Sequence, residues 1–280
     1  MILLLFIGTI VGQAQNRLYS DVNEDGEVNI ADVNAVIDVI LGNSSPISSG
    51  IQTYSVNGVS FKMISVEGGT FVMGATTEQG SDAQSDETPV HQVTLSNFWV
   101  GETEVTQALW LAVMGENPSR WTGDFTRPVE RVSWYDCLVF ITKLNRMTGM
   151  PFRLLTEAEW EFVARGGNKG KGYKYSGSDV IGDIAWYNSN SNGKTHAVAT
   201  KLPNELGLYD LSGNVWEWCQ DWYGSYYYSE QMDPICSEPG YSCVFRGGCY
   251  VSSAKECRVS DRCEGYPYAR ESNIGLRLAL

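Results

Sequence analysis

The stretch "GLYDLSGNVWEW", residues 207–218, places Asp210 and Glu217 on either side of Gly213, with two tryptophans beside the glutamate. Because glycine permits tight folding, the two carboxylates and the carbonyls between them can converge on one hard cation such as calcium. The same stretch also fits a Ser-Gly-Asn turn between strands, with the tryptophans in the core and the acids on the surface. Spacing alone favours the turn.

The surrounding sequence predicts an α+β domain that begins near Ile51. Its opening, "YSVNGVSFKMISVEGGTFVMG", alternates and breaks at glycines, which is typical of short strands. Capping residues predict three helices, which start at Thr106, Ser133 and Thr156. Beyond Gly167 the chain is rich in Gly, Ser, Asn, Trp and Tyr, so we expect loops held on short strands.

Composition limits the classes of partner. The chain has 280 residues, of which 43% are apolar and 12% aromatic, and this is enough to fill a core. The formal net charge is -13, and an acidic surface repels nucleic acid and anionic lipid. We therefore expect no nucleic-acid partner, whereas clustered carboxylates suit calcium.

The first residues, "MILLLFIGTIVGQAQ", have the pattern of a secretory signal peptide, an apolar run followed by small residues. A membrane-spanning helix needs about 20 apolar residues, more than this run contains. The alternatives to a signal peptide for residues 1–15 are a buried strand and a short membrane anchor. We expect residues 1–15 to be removed and the mature protein, without a membrane span, to be secreted or held at the cell surface.

The stretch "DVNEDGEVNIADVNAVIDVILG", residues 21–42, has oxygen-bearing side chains at the spacing of a calcium loop. Apolar residues at helical spacing follow, and a glycine ends the predicted helix. The alternative is a surface turn rich in Asp and Asn. The predicted calcium ligands are Asp21, Asn23, Asp25, Glu27, Asn29 and Asp32.

Aspartate at the last ligand position, with a helix on one side only, makes residues 19–42 resemble a dockerin repeat. Dockerins pair two such repeats, whereas this chain carries one, so we expect a small calcium-stabilised module rather than a binder of cohesin. Residues 43–50, "NSSPISSG", predict a linker. The main domain is predicted at residues 51–280.

Histidine and cysteine content limits the chemistry. The chain has two histidines, which excludes a three-histidine metal site, and it lacks a nucleophile elbow and a GxxxxGK[ST] loop. In an exported protein, Cys236 and Cys243 could close a short disulfide loop, although all thiols stay free in a reducing compartment. The seven cysteines are Cys137, Cys219, Cys236, Cys243, Cys249, Cys257 and Cys263.

A series of motifs resembles, in order, those of the formylglycine-generating enzymes, the sulfatase-modifying factors. The motifs are "GGTFVMG", "HQVTLSNFWVGETEVT", "NPSRW", "RPVERVSWYDC", "FRLLTEAEWEFVARGG", "GLYDLSGNVWEW", "RGGCY" and "NIGLRL". The resemblance implies that family's variant of the C-type lectin fold, with little regular secondary structure, long loops and bound calcium. It also implies a calcium site whose ligands here are Asp210, the carbonyls of Gly213 and Val215, and Glu217.

The enzymes of this family oxidise a cysteine of sulfatases to formylglycine with oxygen and a copper ion held by two cysteines. The resemblance places Cys257 at one copper-binding position, Ser252 at the other, and Cys249 at the position of a pocket serine. A hydroxyl is a poor ligand for copper(I), which prefers sulfur. We therefore expect no copper site of the family type unless Cys249 or Cys263 pairs with Cys257; otherwise Cys257 is structural.

The C-terminal segment 249–273 also resembles the display segment of variable proteins diversified by retroelements, another branch of this fold. In that layout the framework is Arg258, Arg262, Pro267, Arg270 and "IGLRL". The displayed, ligand-binding positions are Val251, Ser252, Ser253, Glu256, Asp261, Cys263, Glu264, Gly265, Ala269, Glu271 and Ser272.

The leading hypothesis is a secreted, calcium-stabilised protein that binds a protein or surface ligand through this segment. One alternative is a copper-dependent formylglycine-generating oxidase that acts on a sulfatase cysteine. Another is a structural domain that the dockerin-like module delivers to a surface. Fold likeness alone does not choose between them, because one fold supports many functions.

Overall fold

The computed structural model describes residues 50–280, and short strands form about half of its regular structure. The strands are β1 (Ile51–Val56), β2 (Val59–Val66), β3 (Thr70–Met73), β4 (His91–Thr94), β5 (Phe98–Gly101), β6 (Arg153–Leu154), β7 (Trp216–Trp222), β8 (Gln231–Met232), β9 (Cys243–Arg246), β10 (Arg262–Gly265), β11 (Ile274–Leu276) and β12 (Leu278–Ala279).

These strands form three sheets, in the orders β1-β2-β5-β12-β6, β10-β9-β7-β11 and β3-β4-β8. The predicted break at Gly58 is confirmed: Asn57 and Gly58 have φ of 48° and 81° and join β1 to β2 in an antiparallel hairpin. The last strand, β12, lies between β5 and β6. The C-terminus thus pairs with strands from the first half of the domain, and this fixes the segment just before it.

The helices are α1 (Gln107–Met114), α2 (Trp134–Thr148), α3 (Glu157–Ala164) and the single turn α4 (Ile181–Ile184). All three predicted helix starts are confirmed. The Thr106 side chain caps α1, Ser133 and Asp136 form a capping box on α2, and Thr156 and Glu159 form one on α3.

The core lies between the helices and the sheets. One cluster packs Trp134 and Phe140 of α2 against Trp218 of β7, and a second surrounds Trp160 and Phe162 of α3. Every residue of α3 is buried. In residues 185–215 the chain forms no helix and no strand of more than an isolated bridge, as expected for this loop-rich half.

No helix within residues 50–280 is long and apolar enough to cross a membrane. The predicted signal peptide at 1–15, the calcium-loop module at 19–42 and most of the linker lie outside the described residues.

Candidate functional site

Segment 249–273 follows β9, passes through a 3₁₀ turn at Ala254–Cys257 and then forms β10. The predicted display positions that are exposed are Val251, Ser253, Glu256, Glu264 and Glu271. Those that are half-buried are Cys263, Gly265, Ala269 and Ser272. Tyr266 and Tyr268 were absent from the prediction, yet both are exposed and their rings stack with centroids 5.4 Å apart.

Two predicted display positions are buried, and the prediction was wrong for them. The carbonyl of Ser252 accepts a backbone N–H, and its hydroxyl lies 3.3 Å from Cys249 Sγ. The Asp261 carboxylate pairs with Arg258 at 3.0 Å and accepts a hydrogen bond from the Gln84 side chain. Burial raises the pKa of Asp261 to about 6. Both side chains therefore belong to the framework rather than to the displayed surface.

The framework arginines each pair with a carboxylate. Arg258, Arg262 and Arg277 are buried, whereas Arg270 is exposed. Their partners are Glu87 for Arg258, Glu157 for Arg262, Asp136 for Arg270 and Glu217 for Arg277. Because these partners lie on four separate elements, the segment and its C-terminal flank are tied to the scaffold at four places.

Sequence reasoning missed Arg246 of β9, which is fully buried and pairs with Glu157 and Glu161 of α3 at 3.1 and 2.5 Å. Burial alone would raise the pKa of Glu157, but Arg262 and Arg246 outweigh it and the pKa is lowered. The signal was present in "TEAEWEF". Residues two apart on a helix point to different sides, so acids at three alternate positions in an apolar helix cannot all face solvent.

The residues at the family's two copper-binding positions, Ser252 and Cys257, and at its pocket-serine position, Cys249, lie in one buried region. Cys249, Ser252 and Cys257 are 1%, 5% and 0% exposed. The Asn273 side chain also donates to Cys249 Sγ, at 3.5 Å. A Cβ at Gly248 would lie 2.5 Å from Cys257 Sγ, so that thiol lies directly beneath the backbone that carries Cys249. Burial raises the pKa of Cys257 well above its ordinary value, which keeps a metal-free thiol neutral.

Cys263, the other possible partner of Cys257, is half-buried on β10 and packs against the core cluster of Trp218 and Phe245. All seven cysteines are free thiols in the structure, and no bond joins Cys236 to Cys243 there. Cys243 is fully buried in the core, while Cys236 lines a surface cavity. The two thiols therefore lie in different surroundings, one in the core and one at a surface cavity.

The stretch "GLYDLSGNVWEW", residues 207–218, forms the turn that leads into β7. Gly213 adopts φ of 86°, and a Cβ there would lie 2.4 Å from the carbonyl oxygen of Trp186, so only glycine fits. Glu217 of β7 is buried; its carboxylate accepts from Arg277 at 2.6 Å and from Trp160 Nε1 at 2.8 Å. The interpretation as a turn between strands is right about the turn and about the buried tryptophans. It is wrong about Asp210 and Glu217, which it placed on the surface and which are buried.

Asp210 and a residue that the sequence reasoning missed, Glu104, extend this acidic group. Asp210 Oδ2 accepts the Ala199 N–H at 2.8 Å, while the buried Oδ1 has no hydrogen-bond partner. Glu104 accepts from Val215 N and from the Asn214 side chain. Burial, followed by the neighbouring carboxylates, raises the pKa of Glu104 well above its ordinary value, and burial raises that of Asp210 to about 6.

Three buried carboxylates, Glu104, Asp210 and Glu217, thus face one guanidinium, that of Arg277. This excess of negative charge and the unpartnered Asp210 oxygen fit a hard cation such as calcium. Residues 50–280 contain no group of three or more His, Cys, Asp or Glu side chains arranged around one metal position. A calcium ion here would therefore take further ligands from carbonyl oxygens, such as those predicted at Gly213 and Val215, or from water.

Three features define the class of the fold. They are the three small sheets of short strands, the long loops and the C-terminal strand that pairs within the first sheet. It is α+β, in the formylglycine-generating-enzyme variant of the C-type lectin fold. Residues 55–280 match the family model described as the sulfatase-modifying factor enzyme 1-like domain. The chain belongs to the sulfatase-modifying factor family.

Relatives in this family carry different names. The chaperone protein LppX of Paenibacillus barcinonensis is 32% identical over 265 residues, which cover 76% of this chain and 88% of that protein. The formylglycine-generating enzyme of Streptomyces coelicolor is 31% identical over 284 residues, which cover 77% and 88%. Family membership therefore leaves the activity open.

Two solved structures are similar over most of the chain. Treponema denticola variable protein 1 has a TM-score of 0.74 and 35% identity, with coverage of 84% of this chain and 99% of that one. PvdO from Pseudomonas aeruginosa has a TM-score of 0.70 and 26% identity, with coverage of 82% and 97%.

Proposed function

We propose that this protein is a secreted, calcium-stabilised ligand-binding protein that presents side chains of residues 249–273 to a protein or surface ligand. One observation carries the proposal: within this segment, two buried arginines that pair with scaffold carboxylates lie in a buried run, residues 257–262, and exposed side chains precede and follow that run. The similarity to a variable protein of Treponema denticola supports it. Export through residues 1–15 and a calcium-bound module at 19–42 are parts of the same proposal.

The pairing explains how such a surface tolerates change. Arg258 and Arg262 fix the backbone through contacts that involve none of the exposed positions, so the path of the loop is independent of what those positions carry. A loop whose shape is set in advance also loses less conformational entropy when it binds. Side chains at the exposed positions can therefore change without loss of the stability of the fold.

The experiment is a library with random residues at the five exposed positions. We expect most members to remain folded, because the lost contacts are surface hydrogen bonds such as the Ser253–Glu256 capping box, worth about 1 kcal/mol each. The measurement is resistance to protease across the library. The matched control randomises the five buried positions Ser252, Arg258, Ser260, Asp261 and Arg262, and few of its members should fold. Equal survival of the two libraries would remove the display proposal.

The second candidate function is the formylglycine-generating oxidase. The observation in its favour is that Cys249 and Cys257 lie around one buried region with the Ser252 hydroxyl, so two thiols remain although their positions differ from the family pattern. Two thiolates are the donors that copper(I) prefers. Copper would supply oxygen activation, while Asn273, which donates to Cys249, would orient that sulfur. Copper(I) binding through both thiols separates the two candidates.

A further inference from the structure

The connection between β7 and β9 differs in composition from the rest of the domain. Residues 224–241, "GSYYYSEQMDPICSEPGY", contain three acidic residues and no lysine or arginine. Their first part, "GSYYYS", consists of Gly, Ser and Tyr, which are also the common residues of antibody binding loops. Tyrosine is favoured there because it offers a large contact area at a low cost in conformational entropy. We call residues 224–241 the tyrosine loop.

The large apolar side chains of the tyrosine loop point outward. Tyr226 is the exception, since it packs inward against His91 and Arg262. The exposed residues are Tyr227 at 62%, Tyr228 at 91%, Met232 at 76%, Ile235 at 43% and Tyr241 at 94%. Single exposed apolar residues are ordinary, but a group of this size on one loop marks an interaction surface.

The backbone of the tyrosine loop is fixed in its middle. Residues of β8 pair in parallel with β4, and the Asp233 carboxylate accepts from the backbone N–H and the hydroxyl of Ser96, each at 2.7 Å. The Cys236 N–H donates to the buried Asp221 carboxylate at 2.8 Å. The outward tyrosines thus extend from an ordered base, which lowers the entropy cost of binding.

The charge of the loop selects the partner. Glu230 and Glu238 are exposed, whereas Asp233 is held by Ser96. Within residues 224–241 no basic side chain neutralises the two exposed glutamates. The faces of tyrosine rings attract ammonium and guanidinium groups, and nearby carboxylates strengthen that preference. Bulk charge acts in the same direction, because the whole chain carries -13.

We infer that the tyrosine loop is a docking surface for a basic protein segment, in which arginine or lysine side chains stack on the exposed tyrosines and approach Glu230 and Glu238. This surface adjoins the display segment at Glu264, which accepts a hydrogen bond from Ser242, the residue that follows the tyrosine loop. The inference itself uses none of the display positions. An acidic or uncharged apolar partner would leave the two glutamates unpaired at the interface.

The test uses two fluorescent synthetic peptides of equal length and leucine content, one with arginine and one with glutamate at every polar position. The measurement is fluorescence anisotropy at physiological ionic strength. We expect the arginine peptide to bind at least about tenfold more tightly than the glutamate peptide. The triple variant Tyr227→Ser, Tyr228→Ser, Tyr241→Ser keeps the net charge and should weaken binding of the arginine peptide about tenfold.

Phe125→Ser is the matched control, since Phe125 is an aromatic side chain that is 50% exposed on another loop, and it should leave the affinity unchanged. All substituted side chains are exposed, and an unchanged melting temperature verifies that each variant is folded. The inference is overturned if the triple variant binds the arginine peptide as tightly as the original protein, because attraction then comes from bulk charge alone. Equal affinity for the two peptides overturns it as well.

Discussion

Arg258→Met is expected to lower the free energy of unfolding by about 3–5 kcal/mol, as for removal of one partner of a buried ion pair. The Arg258 side chain is fully buried and pairs with Glu87 and Asp261. Methionine keeps most of the volume but leaves both carboxylates without their cation. Urea unfolding measures the loss. The same energy explains why this arginine is framework rather than a displayed residue.

Arg270→Met is the matched control for this variant. Arg270 also makes an ion pair, with Asp136 at 2.6 Å, but its side chain is 61% exposed. Exposed pairs contribute about 0–1 kcal/mol because water and salt screen them. If the two variants lose the same stability, burial of the arginines does not anchor the segment and the proposed division into framework and display fails.

Removal of calcium is expected to have the second large effect. At a free calcium concentration of one hundred times Kd, binding stabilises the folded state by about 2.7 kcal/mol, and a chelator removes this. Asp210→Asn should abolish the response of the main domain, residues 51–280, to chelator, because it removes the charge of the carboxylate whose Oδ1 lacks a partner. Glu217→Ala is a poorer test, since Glu217 also binds Arg277 and Trp160. Thermal melting with and without chelator is the measurement.

The pH dependence gives an internal check on this site. The pKa of Asp210, about 6 in the folded protein, lies above its ordinary value of 3.8. Without calcium, Asp210 therefore binds more protons in the folded than in the unfolded state, so its contribution to stability is greatest below its ordinary pKa of 3.8 and is lost as pH rises through about 6. Calcium should reduce this dependence by replacing the proton. A melting temperature that is the same with and without chelator at pH 7.5 would contradict the calcium part of the proposal.

Local signals in the sequence predicted the regular elements well. Thr106, Ser133 and Thr156 cap their helices as expected, because capping depends on residues within one turn. Order and identity of the motifs predicted the fold and family, which the structure and the relatives confirm. Features that depend on residues close together in the sequence could therefore be predicted.

Contacts between distant residues were not readable from the sequence. Glu104 joins Asp210 and Glu217 across more than one hundred positions, and no spacing rule connects them. Ser252 and Asp261 were predicted at the surface because polar side chains usually lie there, but a thiol and an arginine from the same segment cover them. Which polar residues are buried depends on partners that only the fold brings together.

Copper(I) binding and turnover of a Cys-x-Pro-x-Arg peptide test the central claim, that this family member binds a ligand rather than oxidises a cysteine. The protein is incubated with copper(I), oxygen and the peptide, and mass spectrometry detects the aldehyde; the formylglycine-generating enzyme of Streptomyces coelicolor is the positive control. We predict no aldehyde and no tight copper, whereas Ser252→Cys should gain copper binding. Conversion by the unaltered protein, abolished by Cys249→Ala and by Cys257→Ala, would contradict the account.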